Sequence, residues 1–287
     1  MRVFVTGASG WIGSAVVGEL LSAGHSVTGL ARSDAAAAAL EARGARVQRG
    51  DLDSPDSLLS GMVDADAVVH LANKHDFTNP EVSNRAERSM VQLIGDTLAG
   101  SNRPFVLAAG VAGLTAGRPS TERDVSQAHG PNSPRGGSEN LALEYTDRGV
   151  RVVSVRFAPT VHGAGDHGFI STIVGAARTS GISGYVGDGS NRWPAVHRSD
   201  AARLVRLGLE NAAAGSVLHA VGEEGIPTRE IAQAIGDRLG LPVESIAPEN
   251  SAAHFGWIGG FFGMDIPSSS ALTRAQLDWT PTGPTLA

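Results

Sequence analysis

The hydrophobic and polar positions in the first half of the chain follow two alternating patterns. Short apolar runs predict strands at residues 2–6, 25–30, 45–49, 67–71, 104–109 and 150–157. Longer segments with apolar residues every three or four positions predict helices at residues 12–23, 33–43, 84–99 and 138–148. Strands separated by helices indicate parallel βαβ units, and right-handed crossovers then give a sheet covered on both faces. The pattern therefore predicts an α/β fold with a doubly wound parallel sheet.

The pattern changes after about Thr160, where loops lengthen and Gly, His and Trp become frequent. We predict a first domain at residues 1–160 and a smaller lobe, partly interleaved with it, at residues 161–287. Residues 217–221 are apolar enough to return to the main sheet as an added strand.

Composition narrows the class of protein. The 287 residues are 41% hydrophobic, with a formal net charge of -6, so we expect a globular chain and no nucleic-acid partner, which would need a clustered basic face. The absence of cysteine excludes disulfides, thiolate metal sites and a cysteine nucleophile. With no signal peptide and no long apolar run, we expect no membrane partner and a cytoplasmic location.

A glycine motif joins the first strand to the first helix. Gly7, Gly10 and Gly13 stand at G-x-x-G-x-x-G spacing, which permits a tight turn, close approach of a pyrophosphate and close helix packing. The helix N-terminus adds free N–H groups for the phosphates. This context predicts a Rossmann-type dinucleotide-binding domain. The motif residues expected to contact the cofactor are Gly7, Ser9, Gly10, Trp11, Ile12 and Gly13.

The residues after the second strand indicate which dinucleotide is bound. An NAD site usually has an acid there, but this chain has Arg32 and Ser33, which suit the 2′-phosphate of NADP(H). A solvated arginine in a turn is the alternative. After the third strand, Asp51 and Leu52 suit the adenine, although Asp51 is also a common turn residue.

Further cofactor contacts are expected where strands four, five and six end, because ligands lie beyond the carboxyl ends of parallel strands. These positions are Leu71, Ala72, Asn73, Ala108, Ala109, Phe157, Ala158 and Pro159.

These motifs, in this order, resemble the extended and atypical short-chain dehydrogenase/reductases, the group that includes the NAD-dependent epimerase/dehydratases. The resemblance covers nearly the whole chain. Besides the glycine motif, it rests on 50–52, 70–72, 149–156, 159–163, 196–202 and 277–281. It implies the Rossmann fold, a nicotinamide cofactor and a substrate lobe.

The catalytic set that the resemblance implies is a Ser or Thr after the fifth strand and a Tyr-x-x-x-Lys on the next helix. The sequence departs from it, because Tyr145 and Tyr185 are the only tyrosines and both have glycine four positions later. Alignment on Glu139 places Pro131 at the tyrosine position and Arg135 at the lysine position. Arg135 can still hold the ribose or a phosphate, whereas Pro131 cannot transfer a proton.

Other residues are then candidates for the chemistry. Lys74, the only lysine, and the neighbouring His75 and Asp76 follow the fourth strand and are candidate proton donors. Each also has a plain alternative as a solvated or hydrogen-bonded loop residue. Candidate substrate-pocket residues, from the loop after strand six and from the second lobe, are His162, His167, Trp193 and His197. No metal-ligand spacing accompanies the histidines.

The favoured interpretation is an NADPH-dependent reductase of a C=O or C=N bond in a small, largely apolar molecule. An iminium substrate is already protonated and tolerates the missing tyrosine best. The alternative is a non-catalytic NADP(H)-binding redox sensor, and a lyase or isomerase with a structural cofactor is a third reading. A small-molecule substrate is the expected partner, and a homodimer stays open.

Overall fold

A computed structural model of the chain describes residues 1–74 and 79–286. The strands in this part are β1 (Arg2–Thr6), β2 (Ser26–Ala31), β3 (Arg46–Arg49), β4 (Ala67–His70), β5 (Pro104–Gly110), β6 (Arg151–Phe157), β7 (Thr160–His162), β8 (Ser183–Val186), β9 (Arg192–His197), β10 (Ser216–Ala220), β11 (Glu223–Pro227) and β12 (Val243–Ile246). The helices are α1 (Trp11–Ser22), α2 (Asp34–Glu41), α3 (Pro55–Met62), α4 (Pro80–Leu98), α5 (Ser138–Glu144), α6 (Phe169–Ser180), α7 (Arg198–Asn211), α8 (Thr228–Leu239), α9 (Ser251–Phe255), α10 (Gly259–Phe262) and α11 (Ala271–Leu277).

Seven strands form one parallel sheet in the order β10-β6-β5-β4-β1-β2-β3. The chain winds outward from β1 in one direction through β2 and β3, and then crosses back to β4. The predicted doubly wound α/β fold is confirmed. The order reverses between β1 and β4, and an open α/β sheet binds its ligand in the crevice at such a reversal.

Both faces of this sheet are covered. Val3 and Val5 of β1 pack against α1 and α7, whereas Phe4 between them packs against α3 and α4. Alternation along a strand thus fills two separate cores, which explains why β1 is apolar at three consecutive positions, Val3 to Val5.

A buried ion pair fixes α5 to the sheet. Arg156 of β6, 2% exposed, donates through Nε to Glu139 Oε1 at 2.7 Å, and Ser154 Oγ donates to the same oxygen at 2.5 Å. Arg156 Nη1 also donates to the Asp124 carbonyl oxygen at 2.7 Å. The charges are paired and hydrogen-bonded, as buried charges must be.

The second lobe contains the three-stranded sheet β11-β9-β7 and the pair β12-β8, with α6 and α8–α10 around them. Its chain is interleaved with the first sheet, because α7 packs on α1 and β10 pairs with β6. The division at residue 160 stays a prediction. Within the described ranges, the helices are all too short or too polar to cross a membrane.

Candidate functional site

The glycine loop between β1 and α1 is a tight turn that is held by a hydrogen bond within its own backbone. Gly7 has a φ of 66°, and its carbonyl oxygen accepts from Gly10 N–H at 3.0 Å. A Cβ on Gly13 would lie 1.9 Å from that oxygen, and a Cβ on Gly7 would lie 2.7 Å from Ala72 N. Side chains are therefore excluded from this cradle. Ser9 and Gly10 are exposed at its tip, above the N-terminus of α1.

The two side chains after β2 have different local roles. Ser33 caps α2 and accepts from Ala36 N–H at 3.2 Å. Arg32 is exposed, and no hydrogen bond or ion pair ties its guanidinium to the described part of the chain. The cation is therefore free to bind an anion at the end of β2.

The residues after β3 form a turn. Asp51 accepts from Asp53 N–H at 2.9 Å, as a turn aspartate does, and Leu52 packs against the core under α3 and α4. Asp53 also accepts from Lys74 Nζ, with its two carboxylate oxygens at 2.6 and 2.8 Å.

Lys74 is thus anchored to the loop after β3, and its side chain is 26% exposed. This contact supports the plainer interpretation of a salt-bridged loop lysine, and its role as a proton donor stays a prediction. His75 and Asp76 lie outside the described residues.

At the carboxyl end of β4, the predicted residues Asn73 and Arg135 form a cluster with Glu87, which the sequence analysis missed. Glu87 of α4 is 3% exposed and accepts from Asn73 Nδ2 at 2.5 Å. It also accepts from Arg135, from Nε at 3.1 Å and from Nη2 at 2.5 Å. The arginine at the family's lysine position is therefore held by a carboxylate, and the pair has no net charge. A pair without net charge is better suited to bind a neutral hydroxyl or carbonyl oxygen than the phosphate that the sequence also allowed as a ligand of Arg135.

The backbone at Arg135 is left-handed, and so are the two residues after it. Arg135, Gly136 and Gly137 have φ values of 52°, 62° and 62°. Arg88 Nη1 donates to the Gly136 carbonyl oxygen at 2.9 Å, and a Cβ on Gly136 would lie 2.4 Å from Asn84 O. An arginine in this conformation costs about 1–2 kcal/mol, so the surrounding contacts must impose it.

His70 lies beneath this cluster. It is 2% exposed, and its Nδ1 lies 2.7 Å from Thr6 Oγ1. Burial, assisted by the charge of Arg135, lowers the pKa of His70 to about 4, so the ring is neutral at pH 7. Thr6 Oγ1 also accepts from Ala72 N–H at 3.4 Å. The Nε2 of His70 is buried without a partner in the described structure.

The ends of β5 and β6 lie beside this cluster and are lined by small or apolar residues. Ala109, Phe157 and Ala158 are buried, and Ala108 is half-buried. The Phe157 carbonyl oxygen accepts from Val111 N–H at 3.2 Å, which extends the pairing of the two strands by one hydrogen bond. The predicted cofactor-contacting strand ends thus share one edge, together with Leu71, Ala72 and Pro159.

The four predicted substrate-pocket residues do not lie together. Trp193 is completely buried and packs against Phe261 and Phe262, with ring centroids 5.2 and 5.0 Å away. This is a correction: β9 is the central strand of the small sheet, so an inward side chain on it belongs to the core and does not line an open pocket. His167 lies at the glycine loop, with its ring centroid 5.3 Å from that of Trp11.

His162 and His197 are neighbours on β7 and β9, with ring centroids 5.5 Å apart. Burial lowers the pKa of His162 to about 4, an effect that His197 assists and Asp200 opposes. Glu223 Oε2 lies 3.8 Å from His162 Nε2, too far for a hydrogen bond. His197 caps α7 by accepting from Ser199 N–H at 3.3 Å. Both rings have structural contacts, and their role toward a substrate stays a prediction.

One sequence signal for Glu87 exists. Along α4 the buried positions include Ser83, Glu87, Met90, Val91 and Ile94, so a carboxylate occupies the inward stripe of an amphipathic helix. The described residues contain no cluster of three or more His, Asp or Glu that could hold a metal ion.

Comparison with known proteins identifies the family. The model of the NAD dependent epimerase/dehydratase family matches residues 3–221. The chain belongs to this family. A Schizosaccharomyces pombe protein, named Uncharacterized protein C2A9.02, is 45% identical over 287 residues, covering 100% of this chain and 97% of that protein.

A Stigmatella aurantiaca enzyme, named 4-hydroxy-2-methyl-3-oxo-4-farnesyl-3,4-dihydroquinoline-1-oxide ketoreductase, is 27% identical over 273 residues, covering 89% of this chain and 80% of that enzyme. The crystal structure of DesIV, a dTDP-glucose 4,6-dehydratase from Streptomyces venezuelae with NAD and TYD bound, has a TM-score of 0.79 at 24% identity. That match covers 99% of this chain and 93% of DesIV, and it confirms the fold.

Family membership and the ketoreductase relative support an NAD(P)-dependent oxidoreductase. The residues fit that cofactor, because the cradle at Gly7 and Gly13 admits no side chain and the helix beyond it begins with free N–H groups.

Proposed function

We propose that the chain is an NADPH-dependent reductase of a C=O or C=N bond in a small, largely apolar molecule. The observation that carries the choice of NADPH is Arg32, an exposed cation without a protein partner among the described residues, at the end of β2. Ser33 beside it keeps a hydroxyl proton to donate, because its oxygen accepts from Ala36 N–H. These two side chains would hold the 2′-phosphate.

When bound, a nicotinamide cofactor supplies a hydride. The glycine loop would hold its phosphates, and Arg135, oriented by Glu87, which also accepts from Asn73, would donate to neutral oxygens at the carboxyl end of β4. A guanidinium keeps its proton at any physiological pH, so Arg135 positions a ligand and does not protonate it. The proton then comes from a loop donor or from water. This favours substrates that need no proton donor during hydride transfer, such as iminium ions.

The preference for an apolar substrate rests on aromatic side chains next to the loop after β7. Phe169 begins α6 directly after that loop, and Trp257 packs on it with ring centroids 5.5 Å apart. Trp257 is 51% exposed, so about half of its surface is accessible to a ligand. The name of the Stigmatella ketoreductase, which includes a farnesyl group on a ring ketone, points in the same direction.

The test is the consumption of NADPH by purified protein, followed by near-ultraviolet absorbance, with a panel of apolar ketones, aldehydes and cyclic imines. Substrate-dependent consumption, faster with cyclic imines than with ketones, is the expected result. Tight NADPH binding with no turnover on any member would contradict the reductase. It would favour the redox-sensor alternative.

A further inference from the structure

Trp11 connects the glycine loop to the second lobe. It is the first residue of α1, directly after Gly10, so its own backbone N–H belongs to the free N-terminal turn of that helix. Its indole Nε1 donates to the Val161 carbonyl oxygen of β7 at 2.6 Å. The indole is therefore fixed at the point where phosphates bind a helix N-terminus, and two cationic or ionisable side chains contact it there.

Arg198 is the first of these side chains. Its guanidinium lies 4.1 Å from the centre of the Trp11 ring, within the range of a cation–π contact. Its Nη2 donates to Ser14 Oγ at 2.5 Å, and that hydroxyl donates to the Gly10 carbonyl oxygen at 2.8 Å. One hydroxyl thus separates the guanidinium from the backbone of the glycine loop.

The charge of Arg198 lies in an unfavourable place. It is the first residue of α7 and lies against the first turn of α1, and the N-terminal end of a helix repels a cation. Burial lowers the pKa of Arg198, and the nearby cation Arg43, whose Nη1 lies 3.5 Å from Ser14 O, acts in the same direction. In the described part of the chain, no carboxylate lies within ion-pair distance of Arg198, and its buried Nε has no acceptor.

His167 is the second side chain. It is exposed at the tip of the loop between β7 and α6, and its ring meets Trp11 edge-on at 5.3 Å between centroids. The loop is tight, because Asp166 N–H donates to the Gly163 carbonyl oxygen at 3.1 Å and Gly168 N–H donates to Asp166 Oδ1 at 2.6 Å. The imidazole is thereby held over the N-terminus of α1.

We propose that Arg198 and His167, which both contact Trp11, bind the pyrophosphate of the dinucleotide and form the wall of its site opposite the glycine loop. The N-termini of α1 and α7 and the cations Arg198 and Arg43 bring positive charge together, and a pyrophosphate would supply the counter-charge. This assignment rests on the proposed cofactor binding, and it moves His167 from the substrate pocket to the cofactor site. It also makes the loop of the second lobe part of the dinucleotide site.

The test is the affinity for NADP⁺ and NAD⁺, measured by isothermal titration calorimetry, which requires no turnover. Arg198→Gln should raise the Kd for both dinucleotides by about tenfold or more, since a charge-assisted hydrogen bond to the pyrophosphate is lost. Arg198→Lys keeps the charge but loses the planar guanidinium that stacks on Trp11, so its loss of affinity should be smaller than that of Arg198→Gln. His167→Ala, in an exposed loop, should raise both Kd values by about fivefold.

Arg238→Gln, at an exposed arginine of α8, is the matched control and should bind as the wild type does. Unchanged Kd values in both His167→Ala and Arg198→Gln would overturn the proposal, and so would a loss confined to NADP⁺, because the pyrophosphate is common to both ligands. If the wild type binds NADP⁺ but reduces nothing, the reductase fails while the pyrophosphate site is still decided by these Kd values.

Discussion

The two ends of the candidate site are built in different ways. At the glycine loop the shape comes from backbone, with Gly7 and Gly13 so close that no side chain fits between them. At the carboxyl end of β4 it comes from side chains, with Glu87 holding Arg135 in a left-handed turn above a buried His70. The glycine loop tolerates no added atom, whereas the cluster at β4 depends on charge and protonation. Ligand binding and stability should therefore respond to different perturbations at the two ends.

The largest effect is expected at the backbone end. Gly13→Ala puts a Cβ 1.9 Å from the Gly7 carbonyl oxygen, so the loop must move and NADP⁺ affinity should fall by about a hundredfold or more. Gly18→Ala on the same helix is the control, because a Cβ there meets no atom within 4 Å. It should bind normally and be stabilised by up to about 1 kcal/mol. Equal binding by both variants would show that Gly13 is not needed for the cradle.

An effect of comparable size, on stability and not on binding, is expected at the other end and depends on pH. Because the pKa of His70 is about 4 in the folded chain and about 6.5 when unfolded, its contribution to stability is complete above pH 6.5 and is lost as pH falls toward 4. That loss amounts to about 3 kcal/mol. His70→Asn should remove this part of the pH dependence in urea unfolding, while the contribution of His162 remains. The same slope in the variant would contradict the buried neutral ring.

A smaller effect is expected from the charge of Glu87. Glu87→Gln keeps the shape but leaves Arg135 without its counter-charge, so the guanidinium loses its fixed direction. We expect turnover to fall about tenfold with a smaller change in KM. Glu81→Gln, at an exposed ion pair on the same helix, is the control and should be neutral. A change in KM alone would indicate that Glu87 acts only in binding.

The sequence predicts the first half of the fold well for a physical reason. The central strands are buried on both faces and the helices have an apolar stripe, so spacing alone identifies them, and the glycine motif is local in sequence. Contacts between distant residues are not visible in that way. Glu87 and Arg135 are separated by 48 positions, and Trp11 and Val161 by 150.

The same limit explains the wrong prediction at Trp193 and why the sequence alone did not suggest the cofactor role proposed for His167. The sequence around a tryptophan on a short strand is compatible with a core position and with a pocket position. Only the packing of Phe261 and Phe262 against Trp193 shows that it belongs to the core. His167 follows β7 in a glycine-rich loop whose direction the sequence does not give. Arg198 follows the predicted site residue His197, but nothing in the sequence around it distinguishes it from the other arginines as a ligand-binding residue.

The central claim is that this site binds NADP(H) through Arg32. The most direct measurement compares the Kd values for NADPH and NADH, by calorimetry, in the wild type and in Arg32→Ala. We expect the wild type to bind NADPH more tightly than NADH, and Arg32→Ala to lose about tenfold in affinity for NADPH and little for NADH. Equal affinities in the wild type, or equal losses for both ligands in the variant, would contradict it.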